Sequence, residues 1–376
     1  MTWKRWMAGV CASAVLIAGC GDDGADSAGG GGAGGSDEKI TGNKVIDPGA
    51  MDGAKGEVSF CTGKDTSGSK TAGVKAFNKA NPGLTVKLIE FPESADEQRN
   101  QFVQRQEAKA ADCDVFYSDV IWTAEFAQQK WLYDMTPYVK SRADEFIPST
   151  LATITYQDKQ WGVPHKTNAG FLYYRTDQVD KAPATWQEVY DVIKSGAAPE
   201  AVTTSMEEPA RRTFEAGKAT FMRNWPYCYA LAQEAEKTKG KFAVVPFPAF
   251  AGGGKAGILG GANLVISTFS KNPGGALKFI DYMTHAERQS EDVVKFSDAT
   301  PLKAVYEDPA VKKAQPFSDA LKTGVEQAKT RPVSPVYTQV SSAIYKNVNQ
   351  ALSGNVTPEE ALKQAQTDMD KALETF

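Results

Sequence analysis

Histidine is nearly absent: His165 and His285 are the only two in 376 residues. Zinc wants more imidazole or thiolate ligands than His165 has neighbours, and no C-x-x-C pair or His/Cys cluster occurs. A serine triad needs a histidine beside a nucleophile, yet the chain holds no G-x-S-x-G. Both histidines are therefore expected to be structural or surface residues, and no metal or cofactor is implied. A basic excess is also missing, since 42 basic and 46 acidic side chains leave a net charge of −4. That argues against a dedicated nucleic-acid binder, which needs a basic face to displace counterions. Beyond residue 20 no run approaches the roughly 18 apolar residues of a membrane span. A phosphate loop is lacking too. Its nearest likeness, G-K-D-T-S-G-S-K-T from Gly63, has serine instead of glycine before Lys70.

The N-terminus has a character of its own. Lys4 and Arg5 form a short basic region, and Met7 to Gly19 is an apolar stretch too short to span a bilayer. It ends in L-I-A-G-C, Leu16 to Cys20, which resembles the bacterial lipobox. The resemblance implies that residues 1–19 are a signal peptide and that the Cys20 thiol is lipidated. The protein would then be extracytoplasmic and lipid-anchored to the cell membrane. Residues 21–56 hold 12 of the 33 glycines, seven acids and no aromatic residue. Such a segment buries too little to offset its ordering entropy, so 20–56 is expected to be the lipidated cysteine and a flexible tether. Cys11 leaves with the signal and Cys20 carries lipid. Cys61, Cys113 and Cys228 remain; one disulfide with one thiol left over is the simplest solution, with Cys61–Cys113 the favoured pair.

The body from Glu57 is long enough for two domains at about 150 residues each. Glu57 to Cys61 reads as a strand, Thr71 to Ala80 as a helix, Thr85 to Glu90 as a strand. Ser94-Ala-Asp-Glu97 is a capping box opening a helix to about Ala110, and Asp114 to Tyr117 is a short buried strand. Phe171 to Arg175, Ala219 to Met222 and Phe242 to Pro246 repeat the strand pattern. Further capping boxes stand at Thr185–Glu188, Ser205–Glu208 and Thr357–Glu360. Alternating strands and helices predict an α/β fold with mainly parallel sheets.

Three sequence patches carry candidate chemistry. The loop from Gly63 offers backbone N–H groups and the Asp65 carboxylate to a polar ligand, though a solvated turn has the same composition. D-V-I-W-T-A-E-F-A, Asp119 to Ala127, sets acids beside an indole. A carboxylate accepts paired hydroxyl hydrogen bonds while an indole covers the C–H face of a pyranose. N-W-P-Y-C-Y, Asn224 to Tyr229, adds Trp225 and Tyr227. Aromatic residues at strand ends are equally often a core edge or a domain interface. Asp65, Asp119 and Glu125 could instead form the paired carboxylates of a glycosidase.

Together these strings resemble the family 1 extracellular solute-binding proteins of ABC sugar importers, the trehalose- and maltose-binding type of lipoprotein. The likeness runs through Q-R-Q-E-A-K (Gln104 to Lys109), D-V-I-W-T-A-E-F-A-Q-Q-K-W-L, W-G-V-P-H-K-T-N-A-G-F-L-Y-Y-R, F-E-A-G-K-A-T-F-M-R-N-W-P-Y, G-G-G-K-A-G-I-L-G-G-A-N-L-V-I-S, S-K-N-P-G-G-A-L-K-F-I-D-Y-M-T and R-P-V-S-P-V-Y. It implies a two-lobed, class II periplasmic-binding-protein-like fold, each lobe a mainly parallel sheet flanked by helices. The N-lobe would be 57–164 with 263–305 and the C-lobe 169–257 with 310–376. Crossings are expected near 164–168, 257–263 and 306–313. The resemblance implies a sugar ligand, ABC permease membrane subunits as partners, a monomer, no enzyme activity, no cofactor and no nucleic acid. Asp65, Asp119 and Trp122 would line the N-lobe wall, Asn168 the hinge, Trp225 and Tyr227 the C-lobe wall. Gly260 and Gly261 would pass beneath the ligand, and Arg331 and Tyr337 would form a polar clamp. One departure from the family pattern is visible: the stretch of helices expected after Thr185 to Val192 is shortened near Lys194. A polyamine, a glycerol phosphate or glycosidase chemistry are the rival readings.

Overall fold

The strand expected from Glu57 to Cys61 forms the centre of β1 (Gly56–Thr62) in a computed structural model that describes residues 39–192, 205–250, 253 and 257–374. Val58, Phe60 and Cys61 of β1 are buried on both faces, the pattern of an interior parallel strand. From there α1 (Ser69–Ala80) leads to β2 (Leu84–Glu90), and α2 (Ala95–Glu107) leads to β3 (Val115–Asp119). Both strands pair with β1 in parallel, one on each side. The short helices α3 (Thr123–Gln128), α4 (Thr136–Lys140) and α5 (Pro148–Ala152) follow, then the small hairpin β4 (Thr155–Tyr156) and β5 (Lys159–Gln160), then β6 (Val163–Asn168).

Two residues past β6 the chain enters a second sheet with β7 (Phe171–Arg175) at its centre. α6 (Trp186–Val192) and α7 (Glu207–Glu215) precede β8 (Phe221–Asn224), and α8 (Cys228–Glu234) precedes β9 (Phe242–Pro246). β8 and β9 both pair antiparallel with β7. Phe171 opposes Asn224 on one side and Pro246 on the other, so β7 leaves the junction between the sheets while its neighbours end there. β10 (Gly260–Ile266) then returns to the first sheet and inserts antiparallel between β3 and β6. The expected mainly parallel sheet thus describes the five-stranded sheet, in which β2, β1, β3 and β6 share one direction. The three-stranded sheet is antiparallel throughout, because its strands come and go at a single junction.

α9 (Pro273–Met283) and α10 (Ala286–Phe296) cover the larger sheet. α11 (Pro309–Ala314) still sends Val311 into that core, whereas α12 (Ser318–Gln327) sends Leu321 and Val325 into the core of the smaller sheet. α13 (Tyr337–Leu352) and α14 (Pro358–Glu374) close the chain as a helical hairpin. One core packs Phe60 and Phe77 against Phe279, with ring centroids 5.1 and 5.2 Å apart. On the opposite face Phe102, Phe116 and Phe126 enclose the disulfide between Cys61 and Cys113, the favoured pair. Around the smaller sheet, Tyr173, Phe214 and Phe242 form the third core, and Cys228 is buried there as a free thiol.

The tether ends earlier than its composition suggests. Ile40 and Ile46 are buried, Ile46 donates to the Asp134 carbonyl at 3.0 Å, and Asp134 donates back to Lys44 at 2.8 Å. A short 3-10 turn, Pro48–Met51, packs so closely on α9 that a Cβ on Gly274 would stand 2.1 Å from the Ala50 carbonyl oxygen. Two isoleucines and a few backbone bonds are enough to order a segment that reads as linker. Residues 1–38 and the junction near Lys194 lie outside the described residues.

The capping boxes divide. At α14, Glu360 donates to Thr357 Oγ1 and its carboxylate accepts from Thr357 N at 2.9 Å. At α6, Glu188 donates to Thr185 Oγ1 at 3.2 Å and accepts from Ala184 N. The box expected at Ser205–Glu208 does not form: α7 begins at Glu207 with Met206 at its N-cap, and both acids turn elsewhere; at α2 Ser94 is the N-cap as expected, but its side chain makes no capping bond.

The Cys61–Cys113 bond closes a loop of 52 residues. Replacing both cysteines by alanine in the body from residue 39 is expected to cost about 2–4 kcal/mol, read by urea unfolding. Cys228 should stay silent to a thiol reagent in the native protein and react only after unfolding.

Candidate functional site: the cleft between the sheets

Four segment ends meet between the two sheets. The carboxyl ends of β1, β3 and β6 open toward the same side, as ligand sites of α/β sheets do. The beginning of β10 lies among them, with Gly260 opposite Asn168 and Ala262 opposite Asp119. From the other side β8 ends at Asn224 and delivers Trp225. The space enclosed is about 680 Å³. The chain passes between the halves three times, from β6 into β7, from β9 into β10 and from α11 into α12; near these passages Ile258 pairs with Lys329 and Thr167 N donates to the Ala299 carbonyl at 3.2 Å.

Gly261 is held at a φ of +121°, and a Cβ there would lie 2.2 Å from the Lys166 carbonyl oxygen. Only glycine permits that approach. A Cβ on Gly260 would touch the Trp225 ring at 3.0 Å, so the indole rests on bare backbone. Asp119 closes β3 and accepts from Ile121 N at 3.1 Å. Its carboxylate also receives the Arg331 guanidinium at 3.3 Å, from the segment that follows α12. Asp119 keeps 30% of its side-chain surface open to the cleft. The protein walls around it nevertheless raise its pKa above the ordinary value, against the opposing pull of Arg331 and Ile121 N–H. Trp122 is buried at the start of α3 with one edge on the cleft, and Asn168 stands at the end of β6.

Eight of the ten expected ligand residues therefore line one cavity: Asp119, Trp122, Asn168, Trp225, Tyr227, Gly260, Gly261 and Arg331. Asp65 does not. Its carboxylate turns back to cap α1, accepting from Thr71 N at 2.7 Å and facing Lys70 at 3.7 Å. Burial would raise its pKa, but Lys70 and the hydrogen bonds from Thr71 and Lys70 together hold it below the usual range. Tyr337 also stays outside and lies beneath Arg331, its ring 5.9 Å from the guanidinium. Glu125 is taken by Arg99, which donates from Nε at 2.9 Å. His165 is fully buried beside Gln289, and burial with nearby Lys166 keeps it neutral.

The sequence reading missed Lys70, Tyr117, Lys166, Glu207 and Asp298, all of which line the cleft. Lys70 belongs to the rejected phosphate loop, and its ammonium sits over the Tyr117 ring at 4.7 Å. Lys166 is buried but held charged by Asp292 at 2.9 Å and Asp298 at 2.8 Å, which outweigh its desolvation. Glu207 was read as part of a capping box. It stands instead at the first residue of α7, with its side chain on the cleft.

Glu207 organises the aromatic wall. Trp225 Nε1 donates to Glu207 Oε2 at 2.9 Å. The Tyr227 hydroxyl stands 2.8 Å from Glu207 Oε1 and 2.6 Å from Glu208 Oε1. The Tyr227 hydroxyl is the donor to this pair of acids, and Arg211 compensates Glu208 at 2.7 Å. The cleft walls displacing water, together with the charge of Glu208, push the Glu207 carboxyl up, although the hydrogen bonds from Tyr227 and Trp225 and the Arg223 cation pull the other way. A raised folded-state pKa stabilises at low pH and loses that contribution as pH rises through it. Glu207→Gln mimics the protonated form and cannot ionise. Its melting temperature relative to wild type should therefore climb as pH rises above 4.5, the ordinary glutamate value; a pH-independent difference would place no proton there.

Comparison with known proteins agrees with this geometry. A family model described as bacterial extracellular solute-binding protein matches residues 63–290. A Deinococcus radiodurans protein named probable ABC transporter-binding protein is 30% identical over 358 residues, covering 75% of this chain and 85% of its own. Maltose-bound MalE3 of T. maritima is similar with a TM-score of 0.78 and 30% identity, over 84% of this chain and 99% of that one. The GacH receptor of Streptomyces glaucescens, solved unliganded and with acarbose, shares the fold with a TM-score of 0.75 and 21% identity, over 85% and 99%. The chain belongs to the bacterial extracellular solute-binding proteins, the solute receptors of ABC importers, and is not an enzyme.

Proposed function

We propose that the solute is a gluco-disaccharide or short oligosaccharide of the trehalose or maltose type, delivered to the membrane subunits of an ABC permease. The observation that carries this reading is the meeting of the Asp119–Arg331 pair with the Trp225 and Tyr227 rings around one cavity. Carboxylate and guanidinium hold the hydroxyls, and rings cover the C–H faces. The maltose bound to the T. maritima relative supports the same chemistry.

In this reading the two sheets are the cores of an N-lobe and a C-lobe that close around sugar. A ligand touching both lobes shifts the equilibrium toward the closed form, which the permease accepts. Cys20 carries the lipid anchor and the receptor works as a monomer outside the cell membrane. The C-lobe is trimmed near Lys194. Support comes from α13, where Ile344, Val348 and Leu352 are exposed at four-residue spacing, an apolar stripe with nothing over it among the described residues. The helical hairpin instead packs through Ala343, Ala361 and Ala365.

Intrinsic tryptophan fluorescence of the body from residue 39 tests the reading, titrated with trehalose, maltose, sucrose, glucose, putrescine and glycerol phosphate. A saturable change with a disaccharide is expected. Saturation by putrescine or glycerol phosphate alone would replace sugar with that solute. Asp119→Ala should weaken the sugar at least about tenfold, the worth of one charge-assisted hydrogen bond. Unchanged affinity would remove Asp119 from the site.

A further inference from the structure

Beyond the cleft wall the aromatic surface does not stop at Trp225. The Arg223 guanidinium lies over the Trp225 ring, 4.1 Å from its centroid, and 5.9 Å from that of Phe247. Phe247 meets Trp186 at 5.8 Å, and Trp186 meets Phe250 at 6.1 Å. The row begins inside the cavity and ends in solvent, where Phe250 is 68% exposed.

The backbone holds this row in place. Trp186 N donates to the Ala249 carbonyl at 3.1 Å, and Ala249 N donates to the Ala184 carbonyl at 3.0 Å, so α6 begins against the segment after β9 that carries the two phenylalanines. Phe247 is seated over Gly170, where any Cβ would stand 2.5 Å from the ring. Among the described residues no carboxylate lies within ion-pair distance of Arg223, so its N–H donors remain available beside the rings. A core edge would turn rings inward. Here the outermost ring faces water, one ring wide, with a hydrogen-bond donor set between stacking faces.

We propose that this row is an outer carbohydrate subsite continuous with the cleft, and that the solute is a linear oligosaccharide longer than a disaccharide. The inference rests on the sugar reading of the cleft. The inner units occupy the cavity, and the outer units lie along Phe247, Trp186 and Phe250, each ring covering one apolar sugar face.

Titration calorimetry with trehalose, maltose, maltotriose and maltohexaose tests it on wild type, Phe250→Ala and Trp186→Ala, after melting curves show that each variant folds. Phe250→Ala is the safer variant because its ring is mostly in solvent. Wild type should bind maltohexaose about tenfold or more tighter than maltose, the scale of one stacked ring. Phe250→Ala should erase most of that gain while leaving maltose affinity within about twofold. Equal affinity for the short and long sugars overturns the inference, as does a gain that survives both substitutions. Binding of trehalose with none of the maltose series also overturns it but leaves the receptor reading standing. Silence toward every sugar overturns both.

Discussion

The close passage of Gly260 and Gly261 beneath the cleft is the constraint on which the other features hang. With φ at +121° and no room for a Cβ, Gly261 lets β10 lie against Lys166 and Thr167 of β6. That contact sets the start of β10 between the ends of β3 and β6, which brings Asp119 and Asn168 to one level. It also leaves Gly260 as bare backbone on which the Trp225 ring can rest. An alanine at either position would push the smaller sheet's aromatic wall or the β6 junction away from the acids of the larger one.

Around that passage the charges are arranged in pairs that leave work for a ligand to do. Asp119 and Arg331 meet across the cleft but remain partly open to it. Lys166 is held by two carboxylates beneath the floor, so it braces β6 against α10. Glu207 accepts from Tyr227 and Trp225 and so holds both rings, which sets the aromatic wall before any solute arrives. Fixing rings in advance lowers the entropy cost of binding, which is the usual route from a small contact area to useful affinity.

Local patterns in the sequence anticipated the elements well where local physics decides them. Phe171–Arg175 and Phe242–Pro246 are strands over the expected residues. The capping boxes at Thr185 and Thr357 form because donor and acceptor lie within one turn. At Ser205 the acids take other partners: Glu207 and Glu208 meet Trp225 and Tyr227, which arrive from a separate segment, and Glu208 also pairs with Arg211 one turn along its own helix. The same competition explains Asp65: a loop acid beside a helix start serves its own helix before a ligand. Residues 39–55 looked like linker since composition cannot reveal that Ile40 and Ile46 have a surface to meet.

Residue type and order along the chain pointed to the α/β class, to one disulfide among three cysteines with Cys61–Cys113 favoured, and, through the family resemblance, to most of the residues that line the cleft. The class follows from periodicity and the single disulfide from cysteine number, whereas the cleft residues follow from the order of motifs that the chain shares with the family. Strand direction in the smaller sheet, the hydrogen bonds from Trp225 and Tyr227 to Glu207, the burial of Lys166 and the ring row beyond Trp225 were decided by tertiary structure alone. Each depends on groups from separate segments arriving within a few ångströms of one another, and hydrogen-bond and desolvation energies act only at that range.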